Sequence, residues 1–93
     1  MKILAVCGNG LGSSFMISIN VNKVIKKIGL DGECKNVDLA SAKMEKADFY
    51  IGSPEIMDQL SDGKRKTIPL INVVSLDDIE SLIKKHIIEG RNL

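Results

Sequence analysis

Tryptophan is absent from this chain, and its aromatics are Phe15, Phe49 and Tyr50 alone. That leaves no platform on which successive bases could stack. The formal net charge of +1 supplies no clustered basic excess of the kind nucleic-acid domains carry. Two cysteines, Cys7 and Cys34, are too few for a disulfide scaffold. No apolar run approaches the roughly eighteen residues of a membrane span, and Met1-Lys2 leads straight into a strand pattern without a signal peptide. The absences together predict a cytoplasmic chain that neither binds nucleic acid nor inserts in the membrane.

What is present is a regular alternation. With 44% hydrophobic residues in 93, the chain has enough apolar material for one core, burying roughly 60–65% of its surface on folding. Residues 2–6 are apolar nearly throughout, as a strand covered on both faces must be. A helix over 13–28 places Ile17, Val21, Val24, Ile25 and Ile28 on one arc, with Asn20, Lys23 and Lys27 away from it and Gly29 as its stop. Residues 33–37 read as a polar edge strand, followed by a short helix over 40–46 with Asp38 as cap. A third strand over 48–52 runs into Ser53-Pro54-Glu55, a cap residue with proline in the first turn, and that helix extends to Leu60 before the Asp62-Gly63 turn. Residues 68–73 form the fourth strand, with Pro69 near its start. Ser75 to Asp78 resembles a capping box for a last helix reaching 89, its inward stripe Leu76, Ile79, Leu82, Ile83, His86 and Ile87. Four such β-α units in 1–93 predict a single α/β domain, a three-layer, doubly wound, four-stranded parallel sheet of order 2-1-3-4. The switch point of that order lies at the carboxyl end of the first strand, which is where Cys7 stands.

Behind Ile3-Leu4-Ala5-Val6 comes Cys7-Gly8-Asn9-Gly10-Leu11-Gly12-Ser13-Ser14. Its three glycines permit φ > 0, so that successive N–H groups converge as an anion nest, and the following helix adds the N–H groups of its first turn. A thiol in that ring is expected to have a lowered pKa and to be open to an incoming phosphoryl group. Glycines also make turns with no ligand, which is the purely structural reading of the same loop. Two nucleotide motifs fail: G-x-G-x-x-G needs glycine where Ser13 stands, and the Walker loop needs a lysine that is not there.

The spacing Cys7-x5-Ser13-Ser14 resembles the Cys-x5-Arg-Ser loop of low-molecular-weight protein tyrosine phosphatases, with Ser13 in the arginine's place. An arginine there would stabilise the transition state of transfer to water, so its loss argues against hydrolysis. The run Val6-Cys7-Gly8-Asn9-Gly10-Leu11-Gly12-Ser13-Ser14 more closely resembles the IIB subunits of the bacterial sugar phosphotransferase system, in the ascorbate/galactitol/lactose-type branch and especially its ascorbate-specific members. The resemblance covers the full length. It implies a phosphotransferase with the fold of the low-molecular-weight phosphatases. A phosphohistidine IIA protein would donate to Cys7, and the membrane IIC transporter with its bound sugar would receive. Gly8, Asn9, Gly10, Leu11, Gly12, Ser13 and Ser14 would hold the phosphoryl oxygens, and no cofactor or metal is implied. A cysteine phosphatase and a IIB-like regulatory domain are the alternatives.

Other residues carry weaker signals. Phe15, Met16 and Ile19 lie off the helix's core arc and form either a docking collar or a contact with the last helix. His86 belongs at the far face from Cys7, because helices run antiparallel to the strands, and reads as structural. Lys64-Arg65-Lys66 reads as a solvated loop, Asp77 and Asp78 as helix caps that could assist as proton donors, Ser53 as a cap near the pocket, and Cys34 as a structural thiol at the other end of the sheet.

Overall fold

A computed structural model describes residues 1–8 and 12–88. Strand β1 (Lys2–Cys7) is its centre, and Ile3, Leu4, Ala5, Val6 and Cys7 are all buried. Strand β2 (Glu33–Asp38) pairs with one side of β1 and β3 (Phe49–Gly52) with the other, and β4 (Thr67–Pro69) lies beyond β3. All pairings are parallel and the order is β2-β1-β3-β4, as the sequence pattern predicts.

Side chains alternate across a strand, and β1 sorts the core accordingly. Ile3 and Ala5 face α1 (Gly12–Ile28) and α4 (Leu76–Ile83), in a cluster with Ile17, Val21, Ile79 and Ile83. Leu4 and Val6 face α2 (Leu39–Met44) and α3 (Pro54–Leu60), in a cluster with Ala42, Met57 and Leu60. The sheet is therefore covered on both faces. Helix starts are set by local chemistry: Asp38 accepts from the Ser41 N–H at 3.0 Å, Ser53 from Ile56 at 3.4 Å with Pro54 behind it, and Ser75 from Asp78 at 3.2 Å. Gly29 ends α1 at φ 77°, and the Leu30 N–H closes onto the Ile25 carbonyl at 3.0 Å.

Several expectations need correction. The fourth strand is Thr67–Pro69 and not 68–73. Its partner β3 ends at Gly52, whose carbonyl takes the Leu70 N–H at 2.7 Å, so residues beyond have no ladder to join and Ile71 is 87% exposed. Pro69 closes the strand instead of opening it. With Lys66 O and Leu70 N turned toward β3, the intervening Pro69 sits at the position whose missing N–H faces outward on this edge strand.

The last helix keeps α geometry only to Ile83 and continues as a π-helical turn over Lys84–Ile88. Leu76, placed on the inward stripe, is exposed in the first turn, whereas Ile79, Ile83 and Ile87 are buried.

Asn20, assigned to the solvent side of α1, is buried and donates from Nδ2 to the Val73 carbonyl at 2.8 Å. The contact fastens α1 to the segment that leads into α4, a long-range tie that helical periodicity cannot show. Asn20→Ala leaves that carbonyl without its donor and is expected to cost about 1–3 kcal/mol, measured as a lowered urea midpoint with unchanged slope.

Candidate functional site

Cys7 is the last residue of β1, and β1 is flanked by β2 on one side and β3 on the other. Its carboxyl end is thus the point where the strand order reverses, the position at which open α/β sheets bind ligands. Helix α1 begins at Gly12 and brings Ser14 back onto the sulfur: the fully buried Ser14 Oγ donates to Cys7 Sγ at 3.1 Å. The thiol in turn donates to the Val37 carbonyl at 3.9 Å. The sulfur is thus held between a hydroxyl on α1 and a carbonyl on β2. The first turn of α1 carries no acidic residue, so nothing there offsets the positive end of its dipole.

The predicted phosphate-holding set is only partly described. Gly8 is exposed and Ser14 buried, both next to Cys7. Asn9, Gly10 and Leu11 lie outside the described residues, as does the side chain of Ser13. Two features differ from the sequence-based expectation. Among the described residues positive φ occurs at Gly29 and Gly63, not at Gly8, and Gly12 is already helical. What Gly8 supplies is room, since a Cβ there would meet Ile56 Cδ1 at 3.3 Å. Cys7, expected to be open, is only 4% exposed, much like Cys34 at 5%.

Two contributors were not found from the sequence. The Val37 carbonyl reaches the sulfur only because β2 runs beside β1 with Val6 opposite Val37. Gly52 lets β3 lie against β1 just before Cys7, where a Cβ would stand 2.7 Å from the Val6 carbonyl oxygen. The only sequence signal for either was Gly52 itself, a glycine at the end of an apolar strand.

The other candidates separate from the site. Cys34 pairs in register with Ile3, four residues back along β1, or about 13 Å at the rise of a parallel strand, beyond disulfide reach. Burial pushes its thiol up to about 12. His86 is half-buried in the π-helical turn, where burial, and then the charge of Lys85, hold its pKa below the ordinary value. Asp77 and Asp78 are exposed in the first turn of α4, and Ser53 is occupied as the cap of α3. Phe15 and Met16 are 55% and 42% exposed, so they are not packed away against the last helix, and Ile19 is half-buried beside them. Arg65 is not simply solvated: it pairs with Asp62 at 2.7 Å and stacks over the Tyr50 ring. Among the described residues no cluster of His, Cys, Asp or Glu could hold a metal ion, and no helix is long and apolar enough to cross a membrane.

A parallel doubly wound sheet with a cysteine at its reversal point and a helix N-terminus behind it defines a class of α/β domains with a candidate anion site at that cysteine. Within that class, the chain belongs to the IIB family of the phosphotransferase system: the family model described as the lactose/cellobiose-specific IIB subunit matches residues 2–85. Ascorbate-specific EIIB components are among its relatives. That of Mycoplasma pneumoniae is 30% identical over 88 residues, covering 91% of this chain and 93% of its own length. That of Salmonella choleraesuis is 30% identical over 93 residues, covering 92% of each. The lactose-specific IIB component domain of Streptococcus pneumoniae shares the fold, with a TM-score of 0.70 over 94% of this chain and 97% of its own at 13% identity. Membership gives the chain a phosphocarrier role in a phosphotransferase system, with IIA- and IIC-type partners in general terms.

Ser14→Ala removes the hydroxyl donor from Cys7. Alkylation of Cys7 by iodoacetamide at neutral pH is expected to slow about tenfold, the equivalent of one hydrogen bond to a charged group. Peptide mass mapping reads the rate, with Cys34 unmodified in both proteins as the internal control.

Proposed function

We propose that this chain, residues 1–93 as one IIB domain, carries a phosphoryl group on Cys7 between a IIA protein and a sugar bound by the membrane IIC transporter. The Cys7 thiolate attacks phosphorus in the phosphohistidine of IIA. The N–P bond breaks as the S–P bond forms, and the imidazole nitrogen leaves. In the second step a sugar hydroxyl attacks the same phosphorus. The S–P bond breaks, the hydroxyl proton is lost, and the thiolate is restored.

The observation that carries this reading is the meeting of Cys7 Sγ with the Ser14 hydroxyl at the N-terminus of α1. That arrangement stabilises negative charge first on sulfur and then on the phosphoryl oxygens. In this reading the backbone N–H groups from Gly8 to Ser14 and the side chains of Asn9, Ser13 and Ser14 hold the phosphoryl group. Ser13 stands where a phosphatase would have arginine, which favours a carrier that loses its cargo slowly to water. Ascorbate or a related sugar is the substrate class, by analogy with the ascorbate-specific relatives. The exposed Phe15 and Met16, with Ile19, form the docking collar, and the chain acts on the cytoplasmic side.

The test is ³¹P NMR after addition of a phosphorylated IIA protein of the ascorbate-specific system. The expected result is a thiophosphate-ester resonance that appears in the wild-type chain, persists without IIC-containing membranes and is absent from Cys7→Ser. Steady release of inorganic phosphate would instead assign a phosphatase, and labelling that survives Cys7→Ser would remove the mechanism.

A further inference from the structure

At the edge of the sheet opposite Cys7 lies a groove of about 530 Å³, between the end of α2 and the loop that enters β4. Lys43 and Lys46 line it from one side and Lys64, Arg65 and Lys66 from the other, with Tyr50 between. The net charge of +1 for the whole chain conceals how the charge is divided here.

Two of the three acids lining the groove are already paired with cations. Glu45 pairs with Lys2 and Lys35, and those lysines hold its carboxyl below the ordinary value. Asp62 accepts the N–H groups of Lys64 and Arg65, both at 2.9 Å, and pairs with the Arg65 guanidinium, which lowers its pKa likewise. Asp48 accepts the Lys2 N–H at 2.7 Å and is the one lining carboxylate without a cationic partner among the described residues. Lys43, Lys46, Lys64 and Lys66 have no carboxylate within 4.0 Å among those residues, and all are exposed. The Lys66 ammonium lies over the Phe49 ring, 5.6 Å from its centroid, so three lysines, Lys43, Lys46 and Lys64, line the groove without a partner among the described residues against one carboxylate that has no cation.

The groove is also held in shape. Arg65 Nη2 donates to the Lys43 carbonyl at 2.9 Å while Nη1 holds Asp62, so one side chain ties the two walls together. It lies over the Tyr50 ring, 5.8 Å from the centroid. That ring is buried, and its hydroxyl is fixed by the Ala47 N–H at 3.1 Å and the Glu45 carbonyl at 2.7 Å. A site shaped before its ligand arrives loses less ordering entropy on binding. Its volume falls within the range of small-molecule pockets.

We propose that this groove binds a small, multiply charged anion of the phosphate class. It does so independently of Cys7, which lies a strand's length away, about 16 Å from Lys2 at the opposite end of β1. The lysine ammoniums act as point charges on the phosphoryl oxygens. A concave, walled site suits a soluble anion better than a flat lipid surface.

The probe is pyrophosphate, titrated into the full chain at constant ionic strength and followed by ¹⁵N–¹H NMR. Saturable shifts are expected in the amides of residues 43–48 and 62–67, in wild type and in Cys7→Ser alike. Lys46→Gln combined with Lys64→Gln changes two exposed side chains that make no ion pair among the described residues. With Tm unchanged, the double variant is expected to weaken the apparent affinity about tenfold or more. Shifts that stay linear with concentration, that are unchanged in the double variant, or that are confined to residues near Cys7 overturn the proposal. Binding to phosphatidylglycerol vesicles without any response to pyrophosphate overturns it too, since the patch would then read a membrane surface.

Discussion

Everything at the site depends on β1 being buried on both faces while its last residue is a cysteine. A strand in that position has no solvent side, so the chain leaving it can go only outward at the carboxyl end, where the neighbouring strands diverge in their connections. The first helix must then start beside that end to cover the sheet, and its N-terminus, with Ser14, arrives at the sulfur as a consequence of packing. The polar surroundings follow from the topology: the start of α1 and the Ser14 hydroxyl are both brought to the sulfur by the way the helix covers the sheet.

The same logic separates the two cysteines. Both are buried, yet Cys34 belongs to the α1-side cluster opposite Ile3, where desolvation outweighs a backbone hydrogen bond at Ala5 and raises its pKa. Cys7 has a hydroxyl donor from the start of a helix. Equal burial therefore does not mean equal chemistry. The difference lies in what polar groups the fold delivers to each sulfur, and only the strand's carboxyl end receives a helix N-terminus.

The two ends of the sheet have divided the polar work between them. At the carboxyl end the Ser14 hydroxyl and the start of α1 meet Cys7, and residues 7–14 contain no lysine. At the amino end, lysines and Arg65 gather around Tyr50, with the acids of that region tied into ion pairs and turns.

The β-α alternation, the helix caps Asp38, Ser53 and Ser75, and the stop at Gly29 were legible in the sequence because each depends on side-chain chemistry within a few residues of its own position. The order of the strands and the place of Cys7 at their reversal also followed, since handedness and burial leave few ways to arrange four such units. What only the tertiary structure decided are the contacts between segments far apart in the chain. These include the Val37 carbonyl at the sulfur, the Asn20 tie to Val73, the space that Gly52 leaves for Val6, and the early end of β4 where its partner runs out. Periodicity reports which way a side chain points along its own element. It carries no information about which backbone group will be waiting there, because that group is supplied by another part of the chain.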